Sequence, residues 1–226
     1  MAIIRGIIFD LDGTLLDTLQ DIADSVNHVM RRHAFPEHDA SAIQSFIGDG
    51  AEMLIRRALP AGQRTEERVT ACLKAFLQEY EDRLGNHTRP YAGIHRMLNA
   101  IQAAGIHMAV FSNKPHVFTE QCVERFLGKW RFVRVLGQSS RFPKKPDPAG
   151  AMAIAAGLQE DPGRIIYAGD SATDIQTALA AGMIPLGVAW GFGPGSELVA
   201  AGCRFLAHQP ADVLTFIALE NRNSSL

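Results

Sequence analysis

The chain of 226 residues has little cysteine: Cys72, Cys122 and Cys203 stand far apart, with no Cys-x-x-Cys spacing. An odd, dispersed set supplies neither a closed disulfide framework nor a cysteine zinc site, and it suits a reduced, cytoplasmic compartment. Excess charge of one sign is lacking too, since 22 Lys plus Arg against 24 Asp plus Glu leave a formal net charge of −2. That balance gives no electrostatic footprint for nucleic acid or an anionic membrane. The longest uncharged run, Ile175 to Ser196, contains Gly182, Gly187, Gly191, Gly193, Gly195, Pro185 and Pro194. Each Gly costs roughly 1 kcal/mol and each interior Pro about 3 kcal/mol in a helix, so the run reads as buried helix, turn, buried strand and loop rather than a membrane span. Met1 to Phe9 is apolar but holds Arg5 and meets Asp10, too short for a signal peptide.

What is present is globular: 47% apolar and 20% charged residues exclude a disordered or collagen-like chain. At roughly 150 residues per domain, the length fits one large domain or a domain with a smaller insertion. Short apolar runs recur at Ile7–Phe9, Met108–Phe111, Val133–Leu136, Ile165–Ala168 and Ile184–Ala189, with Cys203–Leu206 as an edge strand. Their lack of polar alternation predicts burial on both faces, as in a parallel sheet. Helical patterns separate several of them: Gly93–Ala104 with its stripe Ile94, Met97, Leu98 and Ile101, then Pro115–Leu127, Pro148–Leu158 and Asp174–Ala181. Alternating strand and helix predicts a doubly wound α/β layer. Between Asp17 and Arg83 no convincing strand is read; Leu19–Arg32, Ala51–Leu59 and Glu66–Arg83 read as helices, too much for a simple crossover. The expected organisation is an α/β core of residues 1–16 and 85–226 with a helical cap domain, 17–84, inserted, and a frayed Asn223-Ser224-Ser225 tail.

In open α/β sheets, ligands bind beyond the carboxyl ends of the strands. Those ends hold Asp10-Leu-Asp12-Gly-Thr14, Ser112-Asn113 and Gly169-Asp170, with Asp174 four residues on; the loop before the last carries Lys144-Lys145, two of only five lysines. Four carboxylates on one edge repel and resist desolvation unless a cation offsets them, and all-oxygen ligands suit Mg²⁺. Metal and lysine together can receive a phosphate dianion; an aspartate there can act as nucleophile, and a second, two residues on, as acid and base.

These segments, in this order, resemble the four motifs of the haloacid-dehalogenase-like hydrolase superfamily, over nearly the whole chain and with the helical insertion at the place of its C1 cap. The resemblance implies Asp10 as nucleophile, Asp12 as acid/base, Thr14, Ser112, Asn113 and Lys145 at the phosphate, and Mg²⁺ on Asp10, the Asp12 carbonyl and Asp170, with Asp174 in a supporting, often water-mediated, place. The dehalogenases of the superfamily lack the second aspartate, so Asp12 argues for phosphoryl chemistry. Asp17-Thr-Leu-Gln-Asp-Ile22, Phe46-Ile-Gly-Asp-Gly50, Leu54–Leu59 and Ser112-Asn-Lys-Pro115 look like phosphoglycolate phosphatases. β-Phosphoglucomutases share the motifs but carry histidine where Ile22 stands. The expectation is a Mg²⁺-dependent phosphomonoesterase acting on a small phosphorylated metabolite, with 2-phosphoglycolate first; the alternatives are a phosphosugar mutase or a non-catalytic phosphate-binding protein. A homo-oligomer is compatible with the sequence but not indicated by it.

Plainer readings stand beside these. Asp at βα turns commonly caps helices, as does Ser112 in principle. Lys144 and Lys114 are expected in solvent, and His28 and His33 on a solvated helix face. Gly191-Phe-Gly-Pro-Gly195 is loop geometry rather than a dinucleotide fingerprint, since it follows a late strand and Pro194 breaks the pattern. Ser171 lacks the closing glycine of a nucleophile elbow. Tyr91 and Trp190 read as core. Arg56-Arg57 reads as cap surface, with either one a candidate cation for a substrate carboxylate.

Overall fold

The apolar runs become strands of one six-stranded sheet in a computed structural model that describes residues 3–223. The Asn223–Ser225 tail lies outside these residues apart from Asn223, which ends the last helix. The strands are β1 (Gly6–Phe9), β4 (His107–Pro115), β5 (Phe132–Gln138), β6 (Ile165–Gly169), β7 (Ile184–Val188) and β8 (Phe205–Ala207). Their order is β5-β4-β1-β6-β7-β8, with every neighbouring pair parallel. β1, β6 and β7 are buried along their whole lengths. Ile7 and Phe9 enter the core on one face and Ile8 that on the other, each contributing about 1.5–3 kcal/mol by leaving water. β8 is the edge, as the sequence suggested.

On one face lie α5 (Ile94–Ala103), α6 (His116–Leu127) and α10 (Pro210–Asn223); on the other, α7 (Ala149–Leu158) and α8 (Ala172–Ala180), with short α9 (Gly195–Ala200) beside β7. Pro115 and Pro148 are the N-caps of α6 and α7, where a missing N–H costs nothing. Successive strands leave β1 in opposite directions, so the order reverses beside it, which is where such sheets open a crevice.

Between β1 and α5 the chain forms α1 (Leu19–Arg32), α2 (Ala40–Phe46), α3 (Ala51–Ala58) and α4 (Glu66–Arg83). Ile22, Ala23, Val26, Val29 and Met30 bury one face of α1, while Arg31 and Arg32 complement the dipole at its end. A short ladder bounds the helical stretch at its two ends. Leu16–Asp17 (β2) pairs antiparallel with Arg89–Pro90 (β3), joining the outgoing and returning connections. Asp21 reinforces the junction. Its buried carboxylate accepts from the backbone N–H groups of Gly85 (2.8 Å), His87 (2.8 Å) and Thr88 (3.0 Å) and from the Thr88 hydroxyl (2.7 Å). Four such donors satisfy a buried carboxylate without a counter-ion. His28 faces Glu79 of α4 at 3.3 Å, and His33 is exposed.

Candidate active site

At the reversal point the carboxyl ends of β4, β1 and β6 bring together Ser112, Asn113, Asp10, Asp12 and Asp170, and the loop after β5 adds Lys145. Asp10 is buried at the end of β1; its Oδ1 accepts from the Leu11 N–H at 2.7 Å and forms an ion pair with Lys145 Nζ at 3.1 Å. The same ammonium donates to Asp174 Oδ1 at 2.6 Å. Asp174 is fully buried on the first turn of α8, where its other oxygen accepts from the Ser171 N–H and hydroxyl in a capping box. It therefore caps a helix and holds Lys145 at once, and the Ser171 hydroxyl is committed to it.

Asp170 accepts from the Thr14 hydroxyl (2.8 Å) and from the Phe192 N–H (2.8 Å). Gly13, at φ +81, makes the first contact possible: a Cβ there would lie 2.1 Å from Asp170 Oδ2. The second depends on the glycine-rich loop after β7. A Cβ on Gly191 would meet the Gly13 carbonyl at 2.3 Å, and one on Gly193 the Asp170 carbonyl at 2.2 Å. The loop is a collar around Asp170, a role the sequence analysis did not assign it. The signal was present, because closely spaced glycines mark close backbone approach. Half-buried Trp190 anchors the collar by donating to the Thr14 carbonyl at 2.9 Å.

Carboxylate oxygens of Asp10, Asp170 and Asp174 lie within 4.8 Å of one another. Burial is the main force raising the Asp10 carboxyl above its usual range; Lys145 opposes it, and Asp174 adds to it. Burial, then Asp10 and Asp174, raise Asp170 as well, against the Phe192 N–H and Thr14 hydroxyl. Burial alone would lower Lys145, but Asp10 and Asp174 keep it protonated well above its usual range. Two buried carboxyls disfavoured as anions, with only oxygen donors around them, are the donor set a hard divalent cation fits.

Asn113 is buried and does not present its amide freely. It accepts from the Lys145 N–H (2.9 Å) and donates to the Lys145 carbonyl (3.2 Å) and to the Gly48 carbonyl (3.0 Å). It thereby clamps the lysine loop and joins it to the segment before α3. Ser112 is buried at the end of β4; its hydroxyl accepts from the Lys114 N–H at 3.4 Å and acts to lower the Asp10 carboxyl against the burial that raises it.

Lys114 corrects the sequence reading. It is buried rather than solvated, and Nζ donates to both oxygens of Asp12 at 3.1 Å and to the Tyr80 hydroxyl of α4 at 2.8 Å. The physical reason is strand geometry: Lys114 lies two residues beyond Ser112 in the extended end of β4, so both turn to the same side. That period was visible in the sequence. Burial opposes the Lys114 charge, yet Asp12 and Tyr80 outweigh it and raise its pKa. Lys144 is half-buried, with Nζ 3.5 Å from the Asp49 carbonyl.

A cavity of about 640 Å³ opens above these groups, walled on the far side by Ile22, Ile47, Gly48, Gly50, Leu54 and Phe76. Neither Arg56 nor Arg57 reaches it. Arg56 pairs with Glu66 and Glu52. Arg57 bonds Asp49 and the Phe46 carbonyl, bracing the loop from behind.

The haloacid dehalogenase-like hydrolase family model matches residues 7–188. A phosphoglycolate phosphatase of Mesorhizobium japonicum is 34% identical over 82% of this chain and 83% of its own length. One from Psychrobacter arcticus is 31% identical over 85% and 86%. The crystal structure of a predicted phosphoglycolate phosphatase from Haemophilus somnus superposes with a TM-score of 0.89 at 29% identity, covering 96% of this chain and 99% of that one. Likeness of this extent, over a sheet edge that gathers the four motifs, shows that the chain belongs to the haloacid dehalogenase-like hydrolase family, among its phosphatases.

Proposed function

We propose that the protein is a Mg²⁺-dependent phosphomonoesterase that carries the phosphoryl group on Asp10 and prefers 2-phosphoglycolate among small esters. The observation that carries the mechanism is the pairing of Asp10 with Lys145 inside a carboxylate cluster, under a cavity with Asp12 on its wall. An Asp10 oxygen attacks phosphorus, and the bond to the ester oxygen breaks. Asp12 gives its proton to the departing alkoxide, then removes one from the water that attacks the phosphoryl-aspartate, and inorganic phosphate leaves with Asp10 restored. Lys145 offsets charge on Asp10 and the phosphate, while Thr14, Ser112 and Asn113 complete the phosphate site, Asn113 by fixing the Lys145 loop. Asp10, the Asp12 carbonyl and Asp170 would hold Mg²⁺, with Asp174 in support. Bound there, the ion neutralises the carboxylates and polarises the phosphoryl oxygens.

In this reading, residues 17–84 are a cap over a core of 1–16 and 85–226, and the apolar wall above the site excludes water during the first transfer. Ile22 lines that wall without a titratable group, which favours hydrolysis over the mutase alternative. The preference for 2-phosphoglycolate rests on the named relatives. A phosphate-release screen over small phosphorylated metabolites tests the proposal. With Mg²⁺, 2-phosphoglycolate gives the highest kcat/KM, and a chelator abolishes turnover until Mg²⁺ is restored. Isomerisation of β-glucose 1-phosphate would move the assignment to a mutase. Silence across the panel, with metal bound, would leave only a phosphate-binding protein.

A further inference from the structure

Five charged side chains line the cavity among the described residues: Asp10, Asp12, Asp170, Glu197 and Lys114. Lys145 lies beneath Asp10 and is already shared between Asp10 and Asp174. A substrate with a second anionic group near its phosphate therefore meets four acids and one cation. That cation has no proton to spare, since two bonds go to Asp12 and one to Tyr80, whose ring centre lies 4.4 Å from Nζ. Phe76 and Phe118 pack against the Tyr80 ring, so charges meeting here attract in a poorly screened setting. The Asp12 carboxylate, meanwhile, stands apart from the cluster that Asp10, Asp170 and Asp174 form.

We propose that Lys114 selects substrates carrying a carboxylate beside the phosphate ester, and does so by exchange: the substrate carboxylate replaces Asp12 on Nζ, and Asp12, freed of the ammonium, takes up a proton from water and turns to the leaving oxygen. This deepens the phosphatase reading and rests on it. Exchange of one carboxylate for another gains little affinity. The preference therefore belongs to kcat, through an acid released to act, rather than to KM. Tyr80 stays on Nζ throughout, so α4 and β4 both contribute to recognition. Arg56 and Arg57 take no part, being held away from the cavity.

Three esters of similar length, whose second group is anionic, neutral or cationic, test this: 2-phosphoglycolate, 2-hydroxyethyl phosphate and O-phosphoethanolamine. The wild-type kcat for 2-phosphoglycolate exceeds that for 2-hydroxyethyl phosphate by about 10- to 100-fold, the scale of one charged hydrogen bond, with KM values within several-fold. In Lys114→Met that ratio falls to within about threefold of one, and Lys114→Arg recovers part of it. Should Lys114→Met not fold, the wild type alone decides, because O-phosphoethanolamine is turned over more slowly than 2-hydroxyethyl phosphate; the reverse order overturns the proposal. A Lys114→Met enzyme that keeps the full carboxylate preference also overturns it while leaving the phosphatase reading intact. A wild type that hydrolyses the esters without preference removes both the proposal and the 2-phosphoglycolate assignment. No hydrolysis of any of the three removes the phosphatase reading itself.

Discussion

On the sheet side of the cavity, Asp10, Thr14, Lys145 and Asp170 are buried and tied together: Thr14 donates to Asp170, which also accepts from the Phe192 N–H, and Lys145 donates to Asp174 and pairs with Asp10. On the cap side, Ile22, Ile47, Leu54 and Phe76 present apolar surface, and the backbone of Gly48 and Gly50 approaches from between them. The four sheet-side groups are preorganised, so they need no rearrangement as charge develops on a phosphoryl oxygen. The cap side supplies shape and a largely apolar cover, with Ser41, Gln44 and Ser45 at its margin, and apolar cover tolerates substitution far better than oriented charge does. Chemistry is thus expected to break with single changes on one wall and to shift gradually with changes on the other.

The largest effect tests the sheet wall. Asp10→Asn keeps the side-chain shape and removes the anion proposed as nucleophile, and turnover should fall by at least ~10³, about 4 kcal/mol of transition-state stabilisation. Steady-state phosphate release measures it, with thermal melting to show that the fold survives. Activity near wild type would remove Asp10 from the mechanism.

The two adjacent lysines sharpen the comparison within one loop. Lys145→Ala strips the ammonium shared by Asp10 and Asp174 and should cost about 2–4 kcal/mol in kcat/KM, as loss of an oriented charge does. Lys144→Ala loses only a 3.5 Å approach to the Asp49 carbonyl and should cost under ~1 kcal/mol. The opposite ranking would shift the motif by one residue.

What was readable in advance follows the same division. Buried strands announce themselves by unbroken apolar runs, and several carboxylates at neighbouring strand ends repel unless a cation offsets them; Asp10, Asp12, Asp170 and Lys145 therefore stand out as candidates in the sequence, and the fold brings them to one sheet edge. β2 and β3 could not, since two-residue strands carry no period. Helix α2 was missed because only Ile43 of its seven residues is buried, although Asp39 caps it by accepting from the Ala42 N–H. Lys114 was misplaced because a lysine is exposed by default, and its partner Tyr80 lies 34 residues away on a cap helix. Contacts across the cavity leave no trace in local periodicity, and that is why the clamp at Asn113 emerged only with the fold, whereas the collar around Asp170 had its closely spaced glycines as a sign.

The smallest expected effect probes the seam between the walls. Gln44 of α2 donates through Nε2 to the Phe192 carbonyl at 2.6 Å, and the N–H of that same residue holds Asp170. Gln44→Ala removes one hydrogen bond of about 0.5–1.5 kcal/mol. Gln44 and Phe192 both line the cavity, so water can take over the lost bond, and Asp170 keeps both of its own donors. The loss should therefore be spent on the closeness of the cap rather than on the reacting groups. KM should rise about two- to tenfold while kcat changes less than about twofold. A kcat that falls with KM unchanged would show that the collar transmits strain to Asp170, and that the cap wall belongs to the chemistry after all.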